Sequence, residues 1–286
     1  MTDINRRTFV KTLGAATGAI AAGLSPAEAF AAEEAKKLQR IGIQLYTVRG
    51  EMDKDFEGTL KKIADIGYKQ VEFAGYFGRS PKGVRATLNS LGLDAPAAHI
   101  GDPGALTNNW DQTIENAKVM GHKYLIVAYI QDKDRTLDNY RKFADLFNSA
   151  GETARKSGVR LAYHNHDFEF MPIDGVIPYD LLLERTDPKL VAMEMDLFWV
   201  TKGGKTPQEY FNRFPGRFEA VHVKDMASGP EQKMVDVGQG HIDFAKIFAQ
   251  QRKAGTKYFF VEHDNPSPSA LGSAKTSFDY LKRLKF

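Results

Sequence analysis

The 286-residue chain contains no cysteine. That absence excludes disulfides, thiol nucleophiles and thiolate metal sites, so stability must come from an apolar core and any metal must sit on His, Asp and Glu. No apolar run approaches the roughly 20 residues that a membrane-spanning helix needs, so no stable membrane anchor is expected. There is no GxGxxG turn after the first β-type run, no Gly-rich phosphate cradle, no short-period repeat and no low-complexity segment. Basic runs are missing too: the formal charge is +3, spread thinly along the chain, which speaks against nucleic acid as a partner.

The N-terminal end is built differently from the rest. Asn5-Arg6-Arg7-Thr8-Phe9-Val10-Lys11 places a charged head before an apolar, Gly/Ala-rich stretch over residues 13–24, and Ala29-Phe30-Ala31 supplies small residues at peptidase spacing. Paired arginines with Phe two positions on match a twin-arginine export signal, an address and not an anchor. Residues 1–31 are therefore expected to be a twin-arginine signal peptide, residues 32–286 the mature domain, and the location periplasmic or secreted. That route exports folded proteins, which suits a chain that takes up its cofactor before export.

In the remainder, short β-rich runs alternate with longer amphipathic stretches. The runs are 41–46, 70–73, 95–99, 123–128, 159–164, 191–196, 220–223 and 258–262. Between the first two, Phe56, Leu60, Ile63, Ala64 and Ile66 mark one helical face, with Gly67 just past its end. Eight alternations in about 255 residues match the α/β class as a single (β/α)8 TIM barrel. His99, His164, Asp196, His222 and Glu262 each fall at the C-terminal edge of a run, where a closed barrel gathers strand ends at one mouth.

Two or more imidazoles with two carboxylates make a mixed N/O site for a divalent ion with positions left for substrate oxygens. Taken singly, Asp196 could be a helix N-cap and His222 a satisfied core histidine. Glu262 follows Phe259-Phe260-Val261, where a carboxylate rarely serves packing. His164 and His166 share a strand face, and His99 and His166 could bond sugar hydroxyls. Lys224 shares a face with His222 and could stabilise an oxyanion. Glu72 reads equally as a substrate hydrogen-bonder or as a buried partner of Arg49 or a lysine. Trp199, beside Phe198, could form a stacking wall for a sugar ring or simply pack. Glu194 reads as a structural ion pair one layer below Asp196. His122 reads as a surface loop histidine, and Asp225 as a cap or an orienter of His222.

Gly42-Ile43-Gln44-Leu45-Tyr46-Thr47-Val48-Arg49, Tyr163-His164-Asn165-His166-Asp167-Phe168-Glu169-Phe170 and His222-Val223-Lys224-Asp225 resemble the first, fifth and seventh strands of a known family. Val237-Gly238-Gln239-Gly240-His241-Ile242-Asp243-Phe244 resembles the loop before its last helix and strand. The family is the sugar isomerase and epimerase barrels of the xylose-isomerase-like superfamily, which also holds the divergent apurinic endonucleases. The resemblance covers essentially the whole mature chain. It implies one divalent metal ion (Mn, Co, Mg or Zn) on His164, Asp196, His222 and Glu262. At the first of these the family carries Glu, so this chain lacks one of the two carboxylates that would serve opposite faces of a substrate.

The implied activity is an isomerase or epimerase on a sugar or keto-sugar, working through an enediolate, with Glu262 or Glu169 moving the proton. A lyase or hydratase on a keto-sugar needs only one base and a Lewis acid, and is the alternative within enzymes. A non-catalytic exported sugar-binding barrel is a third reading. An apurinic endonuclease fits poorly, because a three-metal site needs more ligands than these strand ends offer.

Overall fold

The computed structural model describes residues 36–286, so the export signal expected over 1–31 lies outside the described residues. Residues Leu38–Leu284 form the barrel unit. Eight parallel strands close on themselves: β1 (Gly42–Gln44), β2 (Gln70–Ala74), β3 (Asp94–His99), β4 (Tyr124–Val127), β5 (Arg160–His164), β6 (Val191–Asp196), β7 (Phe218–Val223) and β8 (Tyr258–Val261). Each pairs with the next, and β8 pairs back onto β1 through Gly42↔Phe260 and Ile43↔Val261. This is the (β/α)8 barrel that the alternation of runs and helical stretches leads one to expect. Among the described residues no helix is long and apolar enough to cross a membrane.

The helices that wrap the barrel start and stop where local chemistry dictates. Asp55 accepts from Gly58 N at 2.9 Å and opens the helix Phe56–Ile66, whose Phe56, Leu60 and Ile63 are buried. It ends at Gly67 with φ 125°, where a Cβ would come within 2.6 Å of the Phe278 ring, so both conformation and space call for glycine. Ser80, Thr136 and Thr206 cap three further helices in the same way. The first run ends earlier than its apolar pattern suggests: Gln44 accepts from Tyr46 N at 3.0 Å and turns Leu45–Val48 into a 3-10 helix.

Inside the barrel, Ala97, Ala162, Ala192 and Ala220 face the centre from four strands, and the rings of Tyr124 and Phe260 fill the space that these small residues leave. Toward the C-terminal ends of the strands the interior changes from apolar to ionisable. Glu72, Glu194 and His222 are fully buried there. A carboxylate is costly to bury without a compensating partner, so this polar storey needs a reason.

Two expectations about single residues are corrected. His122 is no surface histidine: it is buried, with Nδ1 2.6 Å from the Ala95 carbonyl and Nε2 3.0 Å from the Tyr76 hydroxyl. Burial pulls its pKa down to about 4. Asp225 neither orients His222 nor caps a helix. Its Oδ1 accepts from Met226 N and Ile242 N and its Oδ2 from Gly238 N and Gly240 N, so one carboxylate holds the 237–242 loop in place.

Candidate metal centre and active site

His164 is the last residue of β5, Asp196 the last of β6, and Glu262 follows β8 directly. The register pairs Asp196 with His222 and His164 with Glu194, so neighbouring strands deliver these groups at matching heights. One donor atom from each of His164, Asp196, His222 and Glu262 lies within 4.8 Å of the others, and all four residues are buried. The family resemblance assigned the metal to this same set.

The atoms themselves fit a divalent cation. Neither ring nitrogen of His164 has a hydrogen-bond partner although the residue is sealed from solvent, and the buried Oδ2 of Asp196 has ion-pair contacts to Lys224 Nζ at 3.2 Å and His164 Nε2 at 3.3 Å but no hydrogen bond. Unsatisfied buried polar atoms are expensive, and a cation removes the cost. Burial and the neighbouring His222 charge hold the His164 pKa well below the usual imidazole range, leaving it neutral, the form that ligates. The charge count points the same way. Glu72, Glu194, Asp196, Glu262 and Asp264 converge on three groups able to carry positive charge, His99, His222 and Lys224.

Lys224 is only 2% exposed and is ringed by acids: its Nζ lies 3.2 Å from Asp196, 2.7 Å from Glu262 and 2.7 Å from Asp264. Burial opposes its charge, but these three carboxylates outweigh burial and hold the ammonium well above its ordinary range. Conversely, burial opposes ionisation of Glu262, yet Lys224 and His222 keep its carboxyl well below the ordinary range. At neutral pH the mouth therefore carries a fixed carboxylate beside a fixed ammonium.

A cavity of about 720 Å³ opens over this set, lined by His99, His164, His166, Lys224, Glu262 and Asp264 among others. That is within the usual range for small-molecule sites, about 300–1,000 Å³. His166 is kept neutral, its pKa well below the ordinary range through burial and the adjacent His164. Its Nδ1 has no partner and is available to a ligand hydroxyl.

Three expected site residues are placed otherwise. Glu169, expected as a base, is fully buried and takes no part in the cavity lining. Its carboxylate accepts from the Tyr163 hydroxyl and from His166 N, the latter at 2.8 Å, so it shapes the loop after β5 instead of facing substrate. Glu72, expected either to bond substrate or to be a buried partner of Arg49 or a lysine, is buried below the mouth with 0% exposure, but its partners are Gln44 and His222; Arg49 stacks on Tyr46 instead. Trp199 packs on His166 and Phe198 and lines a smaller cavity of about 350 Å³ that shares Asp264 and Asn265 with the main one. It is not a wall of the main cavity. The ion-pair reading of Glu194 agrees with its contacts, 2.7 Å to His99 and 3.2 Å to His222.

Two participants went unread in the sequence. Asp264 sits two residues past Glu262, the spacing that returns a side chain to the same strand face, and it pairs with Lys224. Tyr129 lines the cavity one residue beyond the fourth apolar run, a strand-end position like those already singled out.

With this geometry in view, comparison with known proteins is decisive for the family. The model of the xylose isomerase-like TIM barrel family matches residues 60–284. The chain belongs to that family. An inosose dehydratase of Geobacillus kaustophilus (strain HTA426) is 24% identical over 269 residues, covering 79% of this chain and 86% of that protein. A crystal structure of a sugar phosphate isomerase/epimerase from Parabacteroides distasonis ATCC 8503 is 28% identical, with a TM-score of 0.76 and coverage of 86% and 98%. The crystal structure of IOLI protein with a binding zinc atom shares the fold, at a TM-score of 0.66 and 15% identity over 84% of this chain and 96% of that one. The similar proteins thus include one named inosose dehydratase and one named sugar phosphate isomerase/epimerase.

Proposed function

We propose that this protein is a divalent-metal-dependent lyase that removes water, or an equivalent β-substituent, from a keto-sugar or a related polyhydroxylated ketone. The observation that carries the reading is the one-sidedness of the acids. The carboxylates that line the cavity, Glu262 and Asp264, come from one strand end and both contact Lys224. Where a two-base epimerase wants a second carboxylate there is His164, and Glu169 is turned away. Inosose dehydratases among the relatives support the same reading.

His164, Asp196, His222 and Glu262 would hold the ion. A bound divalent ion supplies a Lewis acid for a carbonyl and its neighbouring hydroxyl. The protein does the rest. Lys224 keeps Glu262 ionised, and Glu262 takes the proton from the carbon next to the carbonyl. The C–H electrons move onto the carbonyl oxygen, and their return expels the β-hydroxyl. That hydroxyl takes up the proton held on Glu262 and leaves as water, so the products are an unsaturated ketone and one water. His166 and His99, on the cavity wall, bond the remaining hydroxyls and fix which carbon faces Glu262. The ammonium of Lys224 steadies negative charge as it develops.

A second reading, isomerisation with a single base, has its own support in the 28% identical isomerase/epimerase structure. The test begins with metal content on untagged mature protein, comparing wild type with Asp196→Ala, His222→Ala and Glu262→Ala. About one ion per chain, lost in each variant, is expected. Candidate keto-sugars are then incubated in deuterium oxide. A product lighter by one water supports the lyase, whereas deuterium gain without loss of water overturns it in favour of the isomerase. Tight sugar binding with neither metal nor exchange would make the barrel a binding module. The paired Arg6-Arg7 before the apolar stretch of residues 13–24 supports export by the twin-arginine route, and a periplasmic or secreted location is part of this proposal.

A further inference from the structure

Below the metal-facing set lie two buried acids, Glu72 and Glu194, that the mechanism does not use. Glu72 from β2 and Glu194 from β6 approach the same edge of the His222 ring. Nε2 of His222 lies 2.5 Å from Glu72 Oε2 and 3.2 Å from Glu194 Oε2, while Nδ1 points to Glu262 at 2.8 Å. The two acids are themselves held. Gln44 Nε2 donates to Glu72 Oε2 at 2.9 Å, and His99 Nε2 sits 2.7 Å from Glu194 Oε2. The His99 ring stacks on His222 with centroids 5.1 Å apart and planes 11° off parallel.

A neutral imidazole has one N–H and one lone pair, and which nitrogen carries which is set by the hydrogen bond that the other makes. Carboxylates face both nitrogens, Glu262 on Nδ1 and Glu72 with Glu194 on Nε2, so an ion held beside Glu262 and Asp196 would replace the Nδ1 proton and leave the Nε2 proton to the two acids. In that ion-bound state the lone pair lies on Nδ1, the nitrogen nearest Glu262 and Asp196. We infer that Glu72 and Glu194 are positioning residues, a buried clamp that locks His222 in the Nε2–H tautomer with Nδ1 presented to the metal, and that His99 ties this clamp to the cavity. A carboxylate behind a ligating imidazole also raises its basicity and so strengthens coordination. The inference rests on the reading that His164, Asp196, His222 and Glu262 hold the ion.

Glu72, His99, Glu194 and His222 also have ligand-like spacing, within 4.8 Å, and Oε1 of each glutamate lacks a hydrogen-bond partner. An ion in this lower group would displace the Nε2 proton and make His222 a bridging imidazolate, so occupation of the lower group and the clamp are alternative arrangements that ion stoichiometry distinguishes.

Zinc alone serves as the probe, titrated into metal-free full-length protein. Wild type is expected to bind one ion, and Glu72→Gln and Glu194→Gln, which keep shape and one acceptor oxygen, to bind one ion about 10–100-fold more weakly. Independently of any variant, nitrogen-15 spectra of the zinc-loaded wild type should show His222 with a proton on Nε2 and metal on Nδ1. Zinc on Nε2, wild-type affinity in both variants, or two ions per chain with one lost in Glu72→Gln would each overturn the clamp. A wild type that binds no zinc removes the metal-centre reading itself, which is a different result from any of these.

Discussion

Replacing Glu169 by Gln should make the protein progressively more stable than wild type as the pH rises. Glu169 is fully buried, and burial lifts its pKa from 4.5 to about 7, even though the Tyr163 hydroxyl and the His166 amide favour the charged form. Between those two values the folded chain keeps a proton that the unfolded chain has released. The stability that this proton contributes is complete below pH 4.5 and is lost as pH climbs through about 7. At about 1.4 kcal/mol per pH unit, the gap between 4.5 and about 7 amounts to about 3 kcal/mol. Gln carries no charge to bury, so Glu169→Gln escapes the loss. In a chain of this size 1 kcal/mol moves the melting temperature by about 2–4 °C. The melting temperature of the variant minus that of wild type should therefore rise by roughly 6–12 °C between about pH 4.5 and pH 8. Thermal melts by circular dichroism in chelator, run in parallel on both proteins, measure it. A difference that does not change with pH refutes the argument. Loss of substrate deuterium exchange at unchanged metal content would restore Glu169 as the base.

Lys224→Met should cost the metal-free protein about 3–5 kcal/mol, because it strands Asp196, Glu262 and Asp264 without their shared cation; added zinc should recover part of that, seen as a larger zinc-induced rise in melting temperature than in wild type. Asp225→Asn leaves one oxygen where two had served four backbone amides, and at about 1.5–3 kcal/mol for a charge-assisted bond it should lower stability and speed amide hydrogen exchange at Gly238, Gly240 and Ile242. Unchanged exchange there would mean that the loop holds itself. Residues 1–40 fused to a reporter should direct its export, and changing Arg6 and Arg7 to Lys should abolish it; continued export removes the twin-arginine reading.

Much of the barrel is legible because its signals are local. Short apolar runs, caps and glycines act within a few residues, so the eight strands can be placed from pattern alone. The clustering of His164, Asp196, His222 and Glu262 is legible for a related reason: a barrel converts position at a strand end into position at the mouth, so the four can be grouped without knowing a single distance. What escapes is the partner of each polar residue. His122 looks like a loop histidine after Gly121, yet its acceptor is the Ala95 carbonyl on a neighbouring strand. Glu169 sits close to His164 in sequence, and only the Tyr163 hydroxyl and the turn of Phe168–Phe170 show that it points away from the mouth. Gln44, unremarkable in sequence, bonds Glu72 across two strands.

The way the site is shared between the two halves of the barrel has a consequence for assembly. The residues proposed to hold the ion all come from the consecutive strands β5 to β8, neighbours in chain order, so the candidate centre is built from one contiguous stretch of polypeptide. The Glu72 contact to His222 spans 150 residues and exists only once β1 and β2 have closed the ring. Contacts of such long separation form late, after loop-closure entropy has been met. If the proposed centre binds zinc, a refolding chain would capture the ion before its barrel is complete and hold it at full strength only at ring closure, so tightening of the metal would time the last step of folding.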